Sequence, residues 1–225
     1  MTRIVDRELE ELRELALRMG SLTEEILAKS LRALLDSTLC DEVQRDDIEI
    51  DRLDVAIDDA VLELLATKAP VATDLRFVLA TRSVATDLER VGDISRNIAK
   101  SARRLGGANN FALPPRLDSL AKDAQRLLRK SLNSYANTDA AEARRILKED
   151  DAIDDMESLV IQEAITELSR HPEESSREVD LIMIAKNLER VADHATNIAE
   201  DVILTVEARN MKHASKLAPA GDRAV

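Results

Sequence analysis

The amino-acid sequence predicts an all-α protein made of two tandem antiparallel three-helix bundles that are related by an internal duplication. Three observations support this fold class. A segment of the chain is repeated, apolar residues recur at helical spacing, and clusters of Gly and Pro separate the amphipathic segments. The 225 residues are 44% hydrophobic, mostly Leu, Ala, Ile and Val, and only three are aromatic, which is typical of packed helices.

The repeat relates two segments that lie 100 positions apart. Residues 87–100 align with 187–200, and 8 of the 14 aligned positions are identical, including Leu-Glu-Arg-Val and Asn-Ile-Ala. Further back, residues 50–54 align with 153–157 at an offset of 103. Because both halves carry the same pattern in the same order, each half is expected to form the same unit.

Six helices are predicted from apolar periodicity and from the residues that bound it. Pro70 ends the second helix, and Thr73 is the predicted N-cap of the third. Thr138 or Asp139 caps the fifth, and Ser-Ser-Arg-Glu at 175–178 has capping-box spacing before the sixth. The predicted helices run over about 6–37, 42–68, 74–105, 115–135, 140–169 and 176–210.

The Gly/Asn-rich stretch from 106 to 110 and the two prolines at 114–115 form the clearest linker in the chain. The first bundle is therefore expected to span 1–107 and the second 112–211. Residues 212–225 are rich in Lys, Ala, Pro and Gly and are predicted to be a disordered tail.

Charge and composition limit the classes of partner. The formal net charge is −12 and the isoelectric point is about 4.8, which argues against binding to nucleic acid or to anionic lipid and favours metal ions or basic protein surfaces. Cys40 is the only cysteine, so no intrachain disulfide can form. The sequence has neither an apolar signal region at its start nor a run of roughly 20 apolar residues, so a cytoplasmic protein without direct membrane insertion is expected.

Acidic residues recur at matched positions of the two halves, with a spacing of four that places each pair on one face of a helix. If the two pairs of one half face each other, carboxylates about 6 Å apart repel by roughly 3 kcal/mol per pair. The first carboxylate set is Asp47, Asp51, Glu89 and Asp93, and the second carboxylate set is Asp150, Asp154, Glu189 and Asp193.

Three arrangements would relieve this repulsion: raised pKa values, Arg or Lys side chains, or bound metal ions. Oxygen ligands on facing helices suit Mg²⁺, Mn²⁺, Ca²⁺ or iron. His194 lies five residues after Glu189, so the Glu-x-x-His pattern of ferritin-like di-iron enzymes is missing, and His194 is interpreted as a packing or accessory residue. The sequence contains no Gly-rich phosphate loop and no Ser/His/Asp arrangement, so no enzymatic activity and no catalytic residue are predicted.

Three segments resemble the PhoU family of phosphate-transport accessory and regulatory proteins. Pro-Val-Ala-Thr-Asp-Leu-Arg at 70–76 is close to the family's Pro-x-Ala-x-Asp-Leu-Arg. The segments 88–93 and 188–193 resemble its Leu-Glu-Arg-(Ile/Val)-(Gly/Ala)-Asp signature. The resemblance spans nearly the whole chain, up to about residue 210.

The resemblance implies two three-helix bundles and metal binding by the two carboxylate sets, with Mg, Mn, Fe or Zn as the metal. It also implies a negative regulator of phosphate uptake and of the phosphate-starvation response. Such a regulator would link the ATPase subunit of the phosphate ABC transporter to a phosphate-sensing histidine kinase. A homodimer, located in the cytoplasm or at the inner membrane through the transporter, is expected, and phosphate itself is a candidate ligand.

Two other functions are compatible with the same residues. A metal-dependent carboxylate-bridged enzyme would need an enclosed pocket and a general base near the metal. A metal-free acidic helical scaffold would bind basic partners through the carboxylates alone.

Overall fold

A computed structural model of the chain describes residues 4–106, 113–209 and 211. Those residues form six long helices and no strand, which confirms the all-α prediction. Short 3-10 turns at Ser37–Leu39 and Pro172–Glu174 precede the second and sixth helices. The helices are α1 (Ile4–Arg32), α2 (Cys40–Lys68), α3 (Thr73–Leu105), α4 (Pro115–Asn137), α5 (Ala140–Arg170) and α6 (Ser175–Glu207).

Helices α1 to α3 pack on one another, as do α4 to α6, which gives the two predicted three-helix bundles. The bundles join mainly through α3 and α6, and α1 adds a smaller contact with α4. Arg104 pairs with Asp180 and Asp87 with Asn197, so α3 and α6 run antiparallel to each other. Within the described residues, α2 and α5 contact only helices of their own bundle and so lie on the outside of the molecule.

One continuous hydrophobic core runs through both bundles. Leu88 on α3 and Leu188 on α6, which occupy matching positions of the repeat, are both completely buried. Burial of the Leu side chains fixes which face of each helix points inward, and the acidic residues that follow them are thereby placed at the edge of the core. None of the helices in the described ranges is long and apolar enough to cross a bilayer.

Two helix ends differ from the prediction by more than two residues. Helix α1 ends at Arg32 rather than near 37, because Asp36 accepts hydrogen bonds from the backbone and side chain of Thr38 and so starts a separate 3-10 turn. Helix α6 ends at Glu207 rather than near 210, where Ala208 adopts a left-handed conformation with φ of 55°.

The predicted caps are correct only for α5. Asp139 caps this helix by accepting hydrogen bonds from the backbone N–H groups of Ala141 and Glu142. Thr73 is already the first helical residue of α3, whose N-cap is Ala72, and the side chains at the start of α6 form no capping hydrogen bond. Positions 107–110 of the predicted linker and the tail at 212–225 lie outside the described residues, so the bundle limits of 1–107 and 112–211 stay a prediction.

Candidate functional site

The first carboxylate set lies where α2 packs against α3. Gly92 lies at this contact, where an added Cβ would come within 3.1 Å of Ile50 Cδ1 and 3.3 Å of Asp47 Oδ1. The absence of a side chain at this position lets α2 approach α3 closely. The close approach buries Asp47, which is 2% exposed, while Asp51, one turn further along α2, is exposed.

An arginine lies between the two helices and contacts both. The guanidinium of Arg96 on α3 donates through Nη1 to Asp47 Oδ2 and through Nη2 to Asp93 Oδ1. Burial raises the pKa of Asp47, and the positive charge of Arg96 opposes that increase. Arg96 therefore acts as an internal cation for the first carboxylate set.

The remaining members of the first set differ in their surroundings. Burial raises the pKa of Glu89; Arg90 lowers it, whereas the nearby charges of Asp93, Asp54 and Asp51 raise it further. The nearest approaches of Arg90 are 3.4 Å to Glu89 Oε2 and 3.8 Å to Asp93 Oδ2. Asp51 forms no ion pair with the part of the chain that the structure describes.

The second carboxylate set lies where α5 packs against α6, at matching positions. Burial, together with the charges of Asp154 and Asp193, raises the pKa of Asp150 to about 6. The pKa of Asp154 is raised by burial and by Asp193. Burial and Asp193 likewise raise the pKa of Glu189, which Lys186 lowers. Carboxylates of the second set therefore lie close enough to raise one another's pKa.

The second carboxylate set has no arginine at the position that corresponds to Arg96. The residue that aligns with Arg96 is Thr196, whose hydroxyl donates to the backbone carbonyl of Asp193 at 2.7 Å. None of the four carboxylates forms an ion pair within residues 4–106, 113–209 and 211. Lys186, whose charge lowers the pKa of Glu189, pairs instead with Glu157, its Nζ lying 2.5 Å from Oε1.

The chemistry of the second set suits a hard cation. Asp150 Oδ1 is buried and has no hydrogen-bond partner, and such a buried acceptor is unfavourable unless a proton or a cation satisfies it. The described side chains include no group of three or more His, Cys, Asp or Glu residues already arranged around a common point. The carboxylates would therefore have to change rotamer to share one ion.

A polar cluster that the sequence did not reveal links the two bundles. Asp87 on α3 is 8% exposed, and its Oδ1 lies 2.8 Å from His194 Nδ1 and 3.1 Å from Asn197 Nδ2, both on α6. His194 was predicted to have a packing or accessory role, and in this position it connects the bundles. The alignment of Asp87 with Asn187 gave no signal for it, because a repeat relates equivalent positions and not the contacts between them.

Two arginines that neutralise acidic side chains of α2 were not predicted from the sequence. Arg96 was identifiable, because it lies seven residues after Glu89 and three after Asp93 and so shares their helix face. Arg82 is a second such cation, whose Nη1 lies 2.9 Å from Asp54 Oδ1 and which also pairs with Asp58.

The chain matches a known protein family over both bundles. A family model described as "PhoU domain" matches the chain twice, over residues 16–102 and 117–202, one match in each bundle. Among curated proteins, the phosphate-specific transport system accessory protein PhoU homolog of Rhizobium meliloti is 34% identical over 200 residues, which cover 88% of this chain and 84% of the relative.

Two crystal structures have the same fold. PhoU from Pseudomonas aeruginosa superposes with a TM-score of 0.87 and 30% identity, covering 91% of this chain and 99% of that one. The phosphate transport system regulatory protein PhoU from Streptococcus pneumoniae has a TM-score of 0.85 at 30% identity, covering 92% and 99% of the two chains. The duplicated bundle, the matched family model and these relatives together establish that the chain belongs to the PhoU family.

Proposed function

We propose that this protein is a non-enzymatic regulator of phosphate uptake and of the phosphate-starvation response. Its curated relatives are named as accessory proteins of the phosphate-specific transport system. A regulator needs surfaces for partners rather than a catalytic centre. The external position of α2 and α5, with an acidic face on each bundle, supports this role.

The regulator binds Mg²⁺, Mn²⁺, iron or Zn²⁺ through its two carboxylate sets. Asp150, Asp154, Glu189 and Asp193 would hold the ion in the second bundle, and Asp47, Asp51, Glu89 and Asp93 in the first. A bound ion supplies positive charge to an otherwise anionic surface and could attract a carboxylate or phosphate group of a partner. The unpartnered oxygen of Asp150 is the observation that carries this proposal.

The two sets bind metal with different affinity. In the first set an ion has to displace the Arg96 guanidinium from Asp47 and Asp93, whereas in the second set Thr196 offers no competing charge. Metal binding is expected to be tighter in the second bundle for this reason. The difference gives the two halves separate roles in spite of their common origin.

The partners proposed for these surfaces are the ATPase subunit of the phosphate ABC transporter and a phosphate-sensing histidine kinase. The protein would act in the cytoplasm as a homodimer and reach the membrane through the transporter. Its net charge of −12 favours basic partner surfaces, which steer towards an acidic protein over long distances.

Complementation tests this function. Deletion of the gene should raise expression of a phosphate-starvation reporter in phosphate-rich medium, and the wild-type chain should restore repression. A variant with Glu189→Gln and Asp193→Asn should restore repression less well. Circular dichroism should show that this variant is folded. Full repression without the gene would contradict the proposed function.

A metal-free acidic scaffold is the second candidate, and one observation favours it for the first bundle. There Arg96 already neutralises Asp47 and Asp93, so a stable arrangement exists without an ion. Partner binding that persists undiminished in excess chelator would favour the scaffold over the metal-binding regulator.

A further inference from the structure

A pocket of about 480 Å³ opens between the beginning of α2 and the end of α3, next to the first carboxylate set. Four of its lining side chains are basic, and together they are termed the basic pocket: Arg96, Lys100, Arg103 and Arg104. Three of them are spaced by four and three residues along α3 and so share one face of that helix. Such a concentration of positive charge is unusual in a protein whose net charge is −12.

The second copy of the repeat lacks the four basic residues. The four basic residues of α3 align with Thr196, Glu200, Ile203 and Leu204 of α6. The flanking residues Asn-Ile-Ala are identical in both copies, so the helix itself is retained while every cation differs. The basic side chains are therefore not a requirement of the fold, because α6 forms the same helix without them.

Three of the four basic side chains can bind an additional anion. Lys100 is exposed, its Nζ donates to Asn97 Oδ1 at 3.3 Å, and it pairs with no carboxylate among the described residues. Arg103 pairs with Asp41, but these side chains are 56% and 76% exposed and such surface pairs are weak. Arg96 uses both Nη atoms on carboxylates, while its Nε is buried without an acceptor. Arg104 is held by Asp180 and fixes the wall of the pocket instead.

We propose that the basic pocket binds a phosphate group, with Lys100 and Arg103 as the main donors and Arg96 at its inner end. Guanidinium and ammonium groups are the usual protein partners of phosphate oxygens. The pocket also begins at the N-terminal residue of α2, Cys40, where the positive end of the helix dipole favours an anion. Its volume is in the range of small-molecule sites, so it can take inorganic phosphate or a phosphate ester such as a lipid headgroup.

This inference rests on the proposed function, because it makes the regulator itself a receptor for a phosphate group. Arg96 belongs both to the pocket and to the first carboxylate set. An anion that attracts Arg96 competes with Asp47 and Asp93 for the guanidinium and leaves those carboxylates freer to bind a metal ion. Phosphate and metal are therefore expected to bind cooperatively in the first bundle, and the coupling must be reciprocal.

The test is direct binding to the purified full chain with three probes: inorganic phosphate, glycerol 3-phosphate, and vesicles that contain phosphatidylglycerol. The pocket variant is Lys100→Gln with Arg103→Gln. The control variant is Arg126→Gln with Arg145→Gln, which removes the same charge from two exposed arginines whose ion pairs, among the described residues, stay within their own helices. All four positions are exposed, so both variants are expected to fold, and thermal melting checks this.

The pocket variant should bind inorganic phosphate or glycerol 3-phosphate at least about tenfold more weakly than wild type, since two charge-assisted hydrogen bonds are lost, and the control should stay within about twofold. Binding that is confined to vesicles and is lost in the pocket variant also supports the pocket, with a headgroup as the source of the phosphate. Absence of binding to all three probes would overturn the inference, as would equal weakening in both variants. The starvation reporter, measured separately, distinguishes this failure from a failure of the proposed function, because repression can persist without phosphate binding.

Discussion

Arg96 on α3 donates a hydrogen bond to Asp47 on α2, an aspartate of which only 2% is exposed. The same guanidinium also binds Asp93. Among the arrangements that could relieve repulsion between facing carboxylates, the first bundle thus uses a basic side chain. The second bundle has Thr196 at that position, and there Asp150 retains a strongly raised pKa and a buried oxygen without a partner. One substitution within a duplicated sequence therefore separates the two sets chemically.

Replacing Arg96 with the residue of the second copy should convert the first set into an equivalent of the second. Arg96→Thr leaves Asp47 buried without a cation, which should lower the free energy of unfolding of the metal-free protein by about 2 kcal/mol, after discount for the partial exposure of Arg96. A divalent ion should restore that stability and should bind the variant more tightly than wild type. Urea denaturation with and without Mn²⁺ measures both effects.

The control for this substitution is Arg90→Thr. The side chain of Arg90 is 54% exposed, and its nitrogen atoms lie 3.4 Å from Glu89 Oε2 and 3.8 Å from Asp93 Oδ2. Its effect should be below about 0.5 kcal/mol. Equal destabilisation by the two substitutions, or no gain in Mn²⁺ affinity for Arg96→Thr, would show that Arg96 is not the resident cation of the first set.

Asp150 should make the metal-free protein less stable as the pH rises. Its folded pKa of about 6 lies above the ordinary value of 3.8, so the folded state binds more protons than the unfolded chain between these values. Ionisation in that window therefore destabilises the fold. Asp150→Asn should raise stability at pH 7.5 by about 1 kcal/mol, after discount for solvent screening, and the gain should shrink as the pH falls towards 4.

Asp59→Asn is the matched control for Asp150→Asn, because Asp59 is exposed on α2 and forms no ion pair within the described residues. Thermal melting over a pH series in the presence of chelator measures the two profiles. A gain for Asp150→Asn that is the same at pH 4.5 and pH 7.5 would be inconsistent with the raised pKa.

The contact between the bundles should depend on Asp87. Asp87→Ala removes the acceptor that Asn197 donates to and the partner of His194, and should lower the free energy of unfolding by about 1–3 kcal/mol. Asp87→Asn keeps a side-chain oxygen at this position and should have a smaller effect. In a double-mutant cycle, Asp87→Ala and Asn197→Ala should be non-additive by about 1 kcal/mol, and strict additivity would show that the contact contributes no stability.

The sequence predicted the six helices and the faces that carry the acidic residues, because apolar periodicity and the repeat report directly on helix faces. The alignment could not predict how α3 and α6 contact each other, and so the pairing of Asp87 with His194 was missed. The role of Arg96 was also missed, because the alignment highlights residues that both copies share and Arg96 aligns with Thr196. The end of α1 was misplaced for a local reason, since the side chain of Asp36 competes with the helix for backbone N–H groups.

The central claim is that the second carboxylate set holds a metal ion more firmly than the first. Mass spectrometry of metal content, on protein purified without chelator, tests it most directly. A variant with Glu189→Gln and Asp193→Asn should lose at least about one ion per chain relative to wild type, and a variant with Glu89→Gln and Asp93→Asn should lose less, because charged oxygen ligands dominate the binding of hard cations. Unchanged metal content in the Glu189/Asp193 variant, or wild-type protein without bound metal, would contradict the claim.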